Sequence, residues 1–354
     1  MIQTLITRRF GLRTPILNAG MAMVARPALA AAVCSAGGLG TIGNGIDPPE
    51  GLRAMLRETR TLTDRPFGVD LIGDFTTEAH IDVLVEEPVA LVVFFWTTPP
   101  AQWVQRLQAA GSAVWMQVGS VAEARDAVAQ GVDGLIVQGA EAGGHNRAEA
   151  STMTLFPRIR RLYPTLPMAA AGGIVDGATM AAALMLGADA VWCGSRFLAS
   201  AEADAHAGYQ QRVVEADVGD TVITTRFGPE WPDQPMRVLL RPELQAALQG
   251  GAPSADGSMD ATIGSVGLGG ARVPLPPFSA ILPMRDFEGD IDRACLTVGQ
   301  SAGNIDAVLP AAEIVRRMDA EARQALARFA TPVEAATPVG PPRRAVASTE
   351  GVAA

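Results

Sequence analysis

The chain has 354 residues, of which 48% are hydrophobic, and a formal net charge of −9. This charge argues against nucleic acid or an anionic membrane as the main partner, because both bind basic surfaces. No apolar run reaches the roughly 18 residues of a membrane span, and the first residues lack the pattern of a secretory leader. The sequence therefore predicts a soluble cytoplasmic protein.

The rare residue types narrow the chemistry further. All 28 basic residues are arginine, and the chain has only three cysteines and three histidines. The absence of lysine excludes Schiff-base catalysis and lysine-anchored pyridoxal phosphate. The cysteines are far apart and odd in number, so they predict neither a disulfide framework nor a zinc site.

A repeated pattern fills about the first 215 residues. In each repeat a short apolar run ends in small or polar residues and is followed by an alanine-rich amphipathic stretch. Continuous apolarity indicates strands that are buried on both faces. The eight predicted strands are 15–19, 39–43, 67–72, 90–96, 113–119, 134–139, 167–173 and 190–195. Eight such alternations predict an α/β fold, a (β/α)8 TIM barrel rather than an open doubly wound sheet.

Helix boundaries support this pattern. Pro27 is placed for the first turn of one helix, and glycines follow that helix. Ser120 is a candidate N-cap, with Gly131 beyond the other end of the same helix. A third helix is expected to begin at Asp176 and to end at Gly187.

Beyond about residue 215 the alternation of apolar runs and amphipathic stretches ends. Residues 1–215 are predicted to form the barrel, and 216–330 a small C-terminal α+β domain. In that second domain, 249–270 read as a flexible glycine- and serine-rich loop, and 310–330 as a helix that returns to the barrel. The tail, 331–354, has the proline- and alanine-rich composition of disorder.

The stretch "GLGTIG" at 38–43 matches the G-x-G-x-x-G dinucleotide pattern literally. That pattern needs a strand before the glycines and a helix after them. Here the predicted order is reversed, so we reject a dinucleotide site. Gly37 and Gly38 are expected to end a helix, whereas Gly40 and Gly43 allow a close approach at the strand end.

Active sites of such barrels lie at the C-terminal ends of the strands. The residues expected there are Asn18, Ala19, Gly20, Met21, Asp70, Gln117, the segment from Gln138 to His145, residues 172–174 and residues 194–197. This fold commonly binds phosphate between the loops after strands seven and eight. The glycines in both loops predict a phosphate site there.

Metal chemistry has little support. The three histidines, His80, His145 and His206, are isolated in the sequence, so no metal site is expected. His80 and His206 fall in predicted helices and are expected at the surface or at helix ends. His145 follows strand six at the barrel mouth and is the candidate catalytic residue. With few reactive side chains, the site is expected to use a phosphorylated organic cofactor.

At these residues the chain resembles the nitronate monooxygenase family, formerly called 2-nitropropane dioxygenases. Its members are FMN-dependent barrel enzymes, with relatives among FMN-dependent quinone and enoyl-thioester reductases. The resemblance runs from about Thr14 to Glu321. The motifs that carry it are "PILNAGMA", "AAAVCSAGGLGTIG", "PFGVD", "VQGAEAGGH", "AAGGI" and "CGSRF", followed by "FGPEWPDQPMRVL", "PFSAILP" and "CLTVGQSAG".

The resemblance implies roles for individual residues. His145 would be the catalytic residue, which takes a proton from a neutral nitroalkane or orients an anionic nitronate. Gln138 and Gly143 would contact the flavin, and the phosphate would lie against Gly173 and the segment from Trp192 to Ser195. The segment from Asn18 to Met21 would pass along the ring through backbone atoms. The expected cofactor-binding residues are Asn18, Ala19, Gly20, Met21, Asp70, Gln117, Gln138, Gly143, Gly144, Gly172, Gly173, Trp192, Cys193, Gly194 and Ser195.

Two positions depart from the family pattern. Asp70 stands where family members usually have an asparagine that touches the flavin. Asparagine donates and accepts hydrogen bonds, whereas an ionised aspartate only accepts. A carboxylate near the ring would also oppose an anionic reduced flavin. In addition, "GGHNRAE" lacks the glycine that usually follows the histidine. Both departures bear on the substrate more than on the cofactor.

Three functions follow from these observations. The first is an FMN-dependent monooxygenase that oxidises alkyl nitronates, or neutral nitroalkanes, with dioxygen to a carbonyl compound and nitrite. The second is an NAD(P)H-dependent FMN reductase of quinones or enoyl thioesters. The third is a non-catalytic barrel that binds a phosphorylated ligand, and it predicts a colourless protein.

Overall fold

The computed structural model describes residues 1–250 and 262–330. The strands of this part of the chain are β1 (Ile16–Asn18), β2 (Thr41–Asn44), β3 (Gly68–Ile72), β4 (Leu91–Phe95), β5 (Ala113–Val118), β6 (Gly134–Gln138), β7 (Gly144–His145), β8 (Met168–Ala171), β9 (Ala190–Cys193), β10 (Thr221–Thr224), β11 (Met236–Leu239), β12 (Gly264–Leu268), β13 (Ala271–Leu275) and β14 (Glu288–Gly289). The α-helices are α1 (Leu5–Phe10), α2 (Pro27–Ala36), α3 (Pro49–Leu62), α4 (Glu78–Glu86), α5 (Ala101–Ala109), α6 (Val121–Ala129), α7 (Thr152–Leu162), α8 (Gly177–Met185), α9 (Ser195–Leu198), α10 (Ala207–Glu215), α11 (Pro242–Leu248) and α12 (Ala311–Ala330).

Eight parallel strands form the barrel. Their order is β1-β9-β8-β6-β5-β4-β3-β2, and each corresponds to one of the eight predicted apolar runs. The two outer strands of this order meet where the Leu39 N–H donates to the Ile16 carbonyl at 3.0 Å and Leu17 forms a parallel bridge with Leu39. The predicted α/β fold with a TIM barrel is confirmed.

The predicted helix boundaries also agree with the structure. Pro27 begins α2, which ends at Gly37 with a left-handed φ of +102°. The Ser120 hydroxyl accepts the Glu123 N–H at 3.1 Å and caps α6. Asp176 caps α8 through a 2.7 Å bond from the Thr179 N–H. Local capping therefore sets the start of three helices around the barrel.

The strands bury both faces because alternate residues point to opposite sides. One set forms an inner core with Ile6 and Leu12 from the N-terminal region, and Trp115 is its largest fully buried side chain. A Cβ at Gly134 would lie 2.5 Å from the Trp115 ring, so the indole requires glycine on the neighbouring strand. The other set packs beneath the helices. The inner core closes the barrel below its C-terminal end.

Residues after 215 form two small sheets and return to the barrel. One sheet has the order β10-β11-β7 and the other β13-β12-β14. Helix α12 then packs on α8, where the Glu321 carboxylate accepts the Gly177 N–H at 3.0 Å. A Cβ at Gly177 would lie 2.2 Å from the Glu321 Cβ, which explains glycine at this contact. The division into domains 1–215 and 216–330 stays a prediction.

The predicted flexible loop, 249–270, differs from the structure at its C-terminal part. Strand β12 pairs there with β13 in an antiparallel hairpin. Gly269 and Gly270 form its two-residue turn with φ of +58° and +84°, angles that favour glycine and match a tight hairpin turn. Residues 251–261 of that predicted loop, and the predicted disordered tail 331–354, lie outside the described residues.

Within the described ranges, no helix is long and apolar enough to cross a membrane.

Candidate active site

A cavity of about 260 Å3 lies at the C-terminal ends of the barrel strands, close to the lower end of the about 300–1,000 Å3 that is common for small-molecule sites. Most of its lining side chains are apolar. The predicted residues in its lining are Ala19, Met21, Asp70, Gln117, Gln138, Gly143, Gly144, His145, Gly172, Gly173, Trp192, Gly194 and Ser195. The structure thus brings together residues from almost every strand end.

The alternation of each strand explains which polar side chains face this cavity. On β3, Val69 and Leu71 pack in the core beneath the helices, so Asp70 between them points inward. On β5, Met116 and Val118 do the same, and Gln117 points inward. On β6, Val137 packs beneath the helices, so the next residue, Gln138, points inward. Three strands therefore direct three polar side chains into one space.

The same alternation places three predicted residues outside the cavity lining. Leu17 belongs to the inner core, so Asn18 points outward. Its side-chain amide donates to the Thr41 carbonyl at 2.8 Å and its oxygen accepts the Thr41 N–H at 2.9 Å. Asn18 therefore joins β1 to β2 where the barrel closes. Cys193 packs in the outer core, and Gly20 lies behind Asp70.

Gly20 and Gly43 are needed for close backbone approach. A Cβ at Gly43 would lie 1.8 Å from the Gly20 carbonyl oxygen. A Cβ at Gly20 would lie 2.3 Å from the Asp70 Cβ. The groups that approach these glycines thus belong to the protein, and not to a dinucleotide, which agrees with our rejection of the "GLGTIG" pattern.

Two glycine turns face the cavity after β8 and β9. Gly172 and Gly173 have φ of +96° and +77°, a left-handed conformation that favours glycine. Gly194 precedes the short helix α9. In the described chain, these three residues donate their N–H groups to no protein acceptor. Successive amides of this kind form a concave site for an anion such as phosphate.

The segment 298–300 connects the loop after β6 to the residues after β9. The Gly299 N–H donates to the Ser195 hydroxyl at 2.9 Å, and the Gln300 N–H donates to the Glu141 carbonyl at 3.0 Å. A Cβ at Gly143 would lie 2.3 Å from the Val298 carbonyl carbon. The glycine after β6 is therefore required by this packing, in addition to any contact with a ligand.

Side chains behind the cavity hold the loop that follows β6. The Asn146 amide donates to the carbonyls of Gly139 at 3.0 Å and Ala142 at 3.2 Å. The Arg237 guanidinium donates to the Ala140 carbonyl at 2.8 Å. The last two residues of the loop, β7, pair with β11. The residue after the histidine thus fixes this loop by hydrogen bonds instead of by a glycine turn.

His145 lines the cavity and has one imidazole nitrogen without a partner. Its Nε2 is buried and has no hydrogen-bond partner. Its ring lies 4.5 Å from the Trp231 ring and 5.5 Å from the Trp96 ring, measured between centroids. Burial lowers the pKa of His145 to about 4, because the apolar surroundings disfavour the charged imidazolium. The imidazole is therefore neutral at neutral pH.

The other two histidines lie elsewhere. The His80 ring is buried near the start of α4, with Nδ1 within 3.1 Å of the Thr77 N–H. His206 caps α10 by accepting the Gly208 N–H at 3.1 Å. Both lie at helix ends, one of the two positions expected from the sequence, and the His80 ring is buried there.

Asp70 lies in the cavity without a cationic partner. Its Oδ1 is buried and unpaired. Burial raises the pKa of this carboxyl to about 8, against a smaller opposing effect of the Gly20 backbone. The group is thus mostly neutral at pH 7, unlike the ionised aspartate considered from the sequence. A neutral carboxyl has a donor and an acceptor, like the amide of asparagine.

The sequence did not predict an aromatic group at the mouth of the cavity. Phe75, Phe95 and Trp231 line the cavity, and Trp96 lies 5.1 Å from Trp231. The Trp231 indole N–H donates to the Asp74 carboxylate at 3.2 Å. The available signal was Trp231 in "FGPEWPDQPMRVL", a motif assigned only to the second domain.

The charges in the lining have one sign. Three carboxyl groups line the cavity, those of Asp70, Glu141 and Glu230, and no arginine in the described chain does so. Glu141 accepts the Thr152 N–H at 2.9 Å, and Glu230 accepts the Ala280 N–H at 2.9 Å. An anionic ligand group would therefore be held by backbone N–H groups. Among the described residues, no group of His, Cys, Asp and Glu is arranged to hold a metal ion.

Comparisons with known proteins find a matching family model, related sequences and similar structures. Residues 3–79 and 73–321 match the family model described as nitronate monooxygenase. The nitronate monooxygenase of Pseudomonas aeruginosa is 33% identical, over 90% of this chain and 98% of that protein.

Two further proteins are similar. The (3aS,4S,5R,7aS)-5-hydroxy-7a-methyl-1-oxo-octahydro-1H-indene-4-carboxyl-CoA dehydrogenase of Mycobacterium tuberculosis is 34% identical, over 71% of this chain and 70% of that protein. The solved structure of FabK from Thermotoga maritima superposes with a TM-score of 0.77 at 33% identity, covering 93% of this chain and 99% of that one.

Proposed function

The chain belongs to the nitronate monooxygenase family of flavin-dependent oxidoreductases, and from this premise we propose that it is an FMN-dependent nitronate monooxygenase. The reaction oxidises alkyl nitronates with dioxygen to carbonyl compounds and nitrite. Two nitronates and one dioxygen balance two carbonyl compounds and two nitrite ions. The observation that carries the proposal is the unpaired, neutral imidazole of His145 in the same cavity as the glycine turns.

The residues present fit FMN. The free N–H groups of Gly172, Gly173 and Gly194 provide a cradle for its phosphate. Gln117 and Gln138 line the same cavity, and their amides suit the polar edge of a flavin ring. When bound, the flavin supplies an electron acceptor that dioxygen reoxidises. FAD fits less well, because no adenosine-binding motif follows β1 or β2.

His145 holds the reacting end of the substrate in this proposal. Its neutral imidazole accepts or donates one hydrogen bond at Nε2, the nitrogen without a protein partner. Because its pKa is only about 4, it is a weak base for a carbon acid at neutral pH. A nitronate has already lost its α-proton. The site therefore favours the nitronate over the neutral nitroalkane.

Apolar side chains surround the remaining space. Apolar residues of the lining include Ile72, Phe75, Trp231, Ile281 and Leu282, and the Trp231 ring contacts that of His145. These side chains suit the alkyl part of the substrate and exclude water from the reacting atoms. The substrates in this proposal are therefore nitronates with an uncharged alkyl group.

An anaerobic reduction series tests the function. The purified yellow protein is mixed, without oxygen, with propyl-1-nitronate, NADH or NADPH, and the flavin absorbance is followed. We expect the nitronate to bleach the flavin and, after oxygen is admitted, nitrite to form. Bleaching by a pyridine nucleotide, with no bleaching by the nitronate, would overturn the proposal.

One observation favours a second candidate, an NAD(P)H-dependent FMN reductase of quinones or enoyl thioesters. The chain is as similar to the CoA dehydrogenase as to the nitronate monooxygenase, at 34% and 33% identity. The apolar cavity also accommodates the acyl chain of a thioester. This candidate predicts anaerobic bleaching by NADH or NADPH and recovery of the yellow colour on addition of a quinone or an enoyl thioester.

A further inference from the structure

Asp70 differs from the other two carboxyl groups of the cavity. Glu141 is satisfied by Thr152, and Glu230 accepts hydrogen bonds from Ser279 and Ala280. Asp70, in contrast, has a buried Oδ1 without a partner. A structural carboxylate is normally hydrogen-bonded. The unpaired oxygen of Asp70 therefore points to a group that the ligand satisfies.

The surroundings of Asp70 disfavour a negative charge. It is packed between β2 and β4 and against the segment after β1, and residues 41–44, 91–95 and 19–22 contain no titratable side chain. In the described part of the chain, no ion pair involves Asp70 and no arginine lines the cavity. A charge in such a place is costly, so the neutral acid is the stable form.

We propose that Asp70 binds FMN as a neutral carboxylic acid, and that its ionisation weakens FMN binding. The inference depends on the FMN site proposed above. The neutral acid contributes one O–H donor and one carbonyl acceptor, whereas the carboxylate only accepts. The flavin ring carries carbonyl oxygens and ring nitrogens that accept, beside one imide N–H that donates. An ionised Asp70 could pair only with the single N–H and would be repelled by every acceptor of the ring.

Two other titratable groups of the cavity, His145 and Tyr209, do not change charge in the relevant range. Burial lowers the pKa of His145 to about 4 and raises the pKa of Tyr209 above its ordinary value. Both are neutral from pH 7 to pH 9. Glu141 and Glu230 keep their hydrogen-bonded positions. A change in FMN affinity over this range therefore reports Asp70.

The pKa of Asp70 determines how much the FMN dissociation constant changes with pH. With a pKa of about 8 in the protein without flavin, the neutral fraction falls about tenfold between pH 7 and pH 9 by linkage. If only the neutral form binds FMN well, the dissociation constant rises by the same factor, about tenfold.

The test measures FMN affinity of the flavin-free full chain by fluorescence titration at pH 7, 8 and 9. We expect the wild-type dissociation constant to rise about tenfold, and that of Asp70→Asn to change less than twofold. Asp82→Asn removes an exposed carboxyl on α4, paired with Arg106, and should keep the wild-type pH dependence. Asp70→Ser serves if the asparagine variant does not fold, because it also lacks a titratable group.

The outcomes separate this inference from the proposed function. A wild-type affinity that is flat from pH 7 to pH 9 overturns the inference but leaves the FMN site intact. An undiminished pH dependence in Asp70→Asn or Asp70→Ser also overturns it, because another group would then be titrating. A protein that binds no FMN at pH 7 overturns the cofactor proposal itself.

Discussion

The indole ring of Trp231 lies 4.5 Å from the imidazole of His145, centroid to centroid. Trp231 follows the barrel in the chain and reaches its mouth, while His145 lies in the loop after β6. The indole thus helps to bury the imidazole, and burial is the cause of its low pKa. Trp231, which comes after the barrel strands in the chain, therefore contributes to the burial of the candidate catalytic group.

Trp231→Ala should raise the pKa of His145 from about 4 toward the ordinary value near 6.5. The reason is that water reaches the imidazole when the indole is removed. The chain has only three histidines, so NMR titration of the ring carbons resolves each one. Trp231→Phe keeps an aromatic ring over His145 and should retain the low pKa. An unchanged pKa in Trp231→Ala would assign the burial of His145 to other residues.

His145→Asn should retain the yellow flavin but lose the slow turnover of neutral nitroalkane that this weak base supports. An amide cannot take the α-proton at neutral pH, so the expected loss is about 10²-fold, the lower end of the range for general-base assistance. Oxidation of the pre-ionised nitronate should fall much less. Steady-state rates on both substrates, normalised to flavin content, make the comparison. Equal losses on both would leave His145 with a binding or structural role.

The sequence predicted the barrel because all eight strands are buried on both faces and read as continuous apolar runs. The same property hid the orientation of individual side chains. In an apolar run no alternation shows which residues point inward, so the sequence did not predict the direction of the Asn18 side chain. The structure shows that Leu17 takes the inward position, and Asn18 therefore points toward β2.

Two further differences between the sequence predictions and the structure have separate physical causes. Trp231 approaches His145 only through the tertiary fold, so the local sequence pattern could not reveal the contact. The β12–β13 hairpin was read as a loop because of its glycines. Consecutive glycines between alternating residues are also the signal of a tight hairpin turn, and Gly269 and Gly270 occupy that turn.

Asn18→Ala should destabilise the fold without changing the cofactor site. The substitution leaves the N–H and carbonyl of Thr41 without partners at the seam between β1 and β2, a loss of roughly 2–4 kcal/mol for two buried groups. Urea unfolding measures it, and the folded fraction should keep its full FMN content. Asn304→Ala, at an exposed position, should change the free energy of unfolding by less than about 0.5 kcal/mol. Loss of FMN from folded Asn18→Ala would instead assign this residue to the site.

Gly173→Val should yield a folded protein with little bound FMN. The added side chain would stand at the N–H groups that are expected to face the phosphate, at a position with φ of +77°. Gly131→Val is the matched control, since Gly131 has φ of +86° and open space around it at the end of α6. Both variants carry the same backbone strain. Absorbance of the extracted flavin per chain should fall only in Gly173→Val. Full FMN content in that variant would place the phosphate elsewhere.

Asp70→Asn should stabilise the flavin-free protein increasingly as the pH rises. The folded-state pKa of Asp70, about 8, lies above its unfolded value of about 3.9. The stability that its proton contributes is therefore complete below about pH 4 and is lost as the pH rises through 8.

The asparagine side chain does not titrate, so in the variant this position contributes no pH dependence to the free energy of unfolding. The difference in unfolding free energy between the variant and the wild type should grow by up to about 1.4 kcal/mol per pH unit from pH 5 to pH 8 and then level off. Urea unfolding of both proteins at pH 5, 6, 7, 8 and 9 measures this difference, in which the effects of all other groups cancel. A difference that stays constant over this range would mean that Asp70 is already ionised at pH 5, and its unpaired oxygen would then need a bound cation or water.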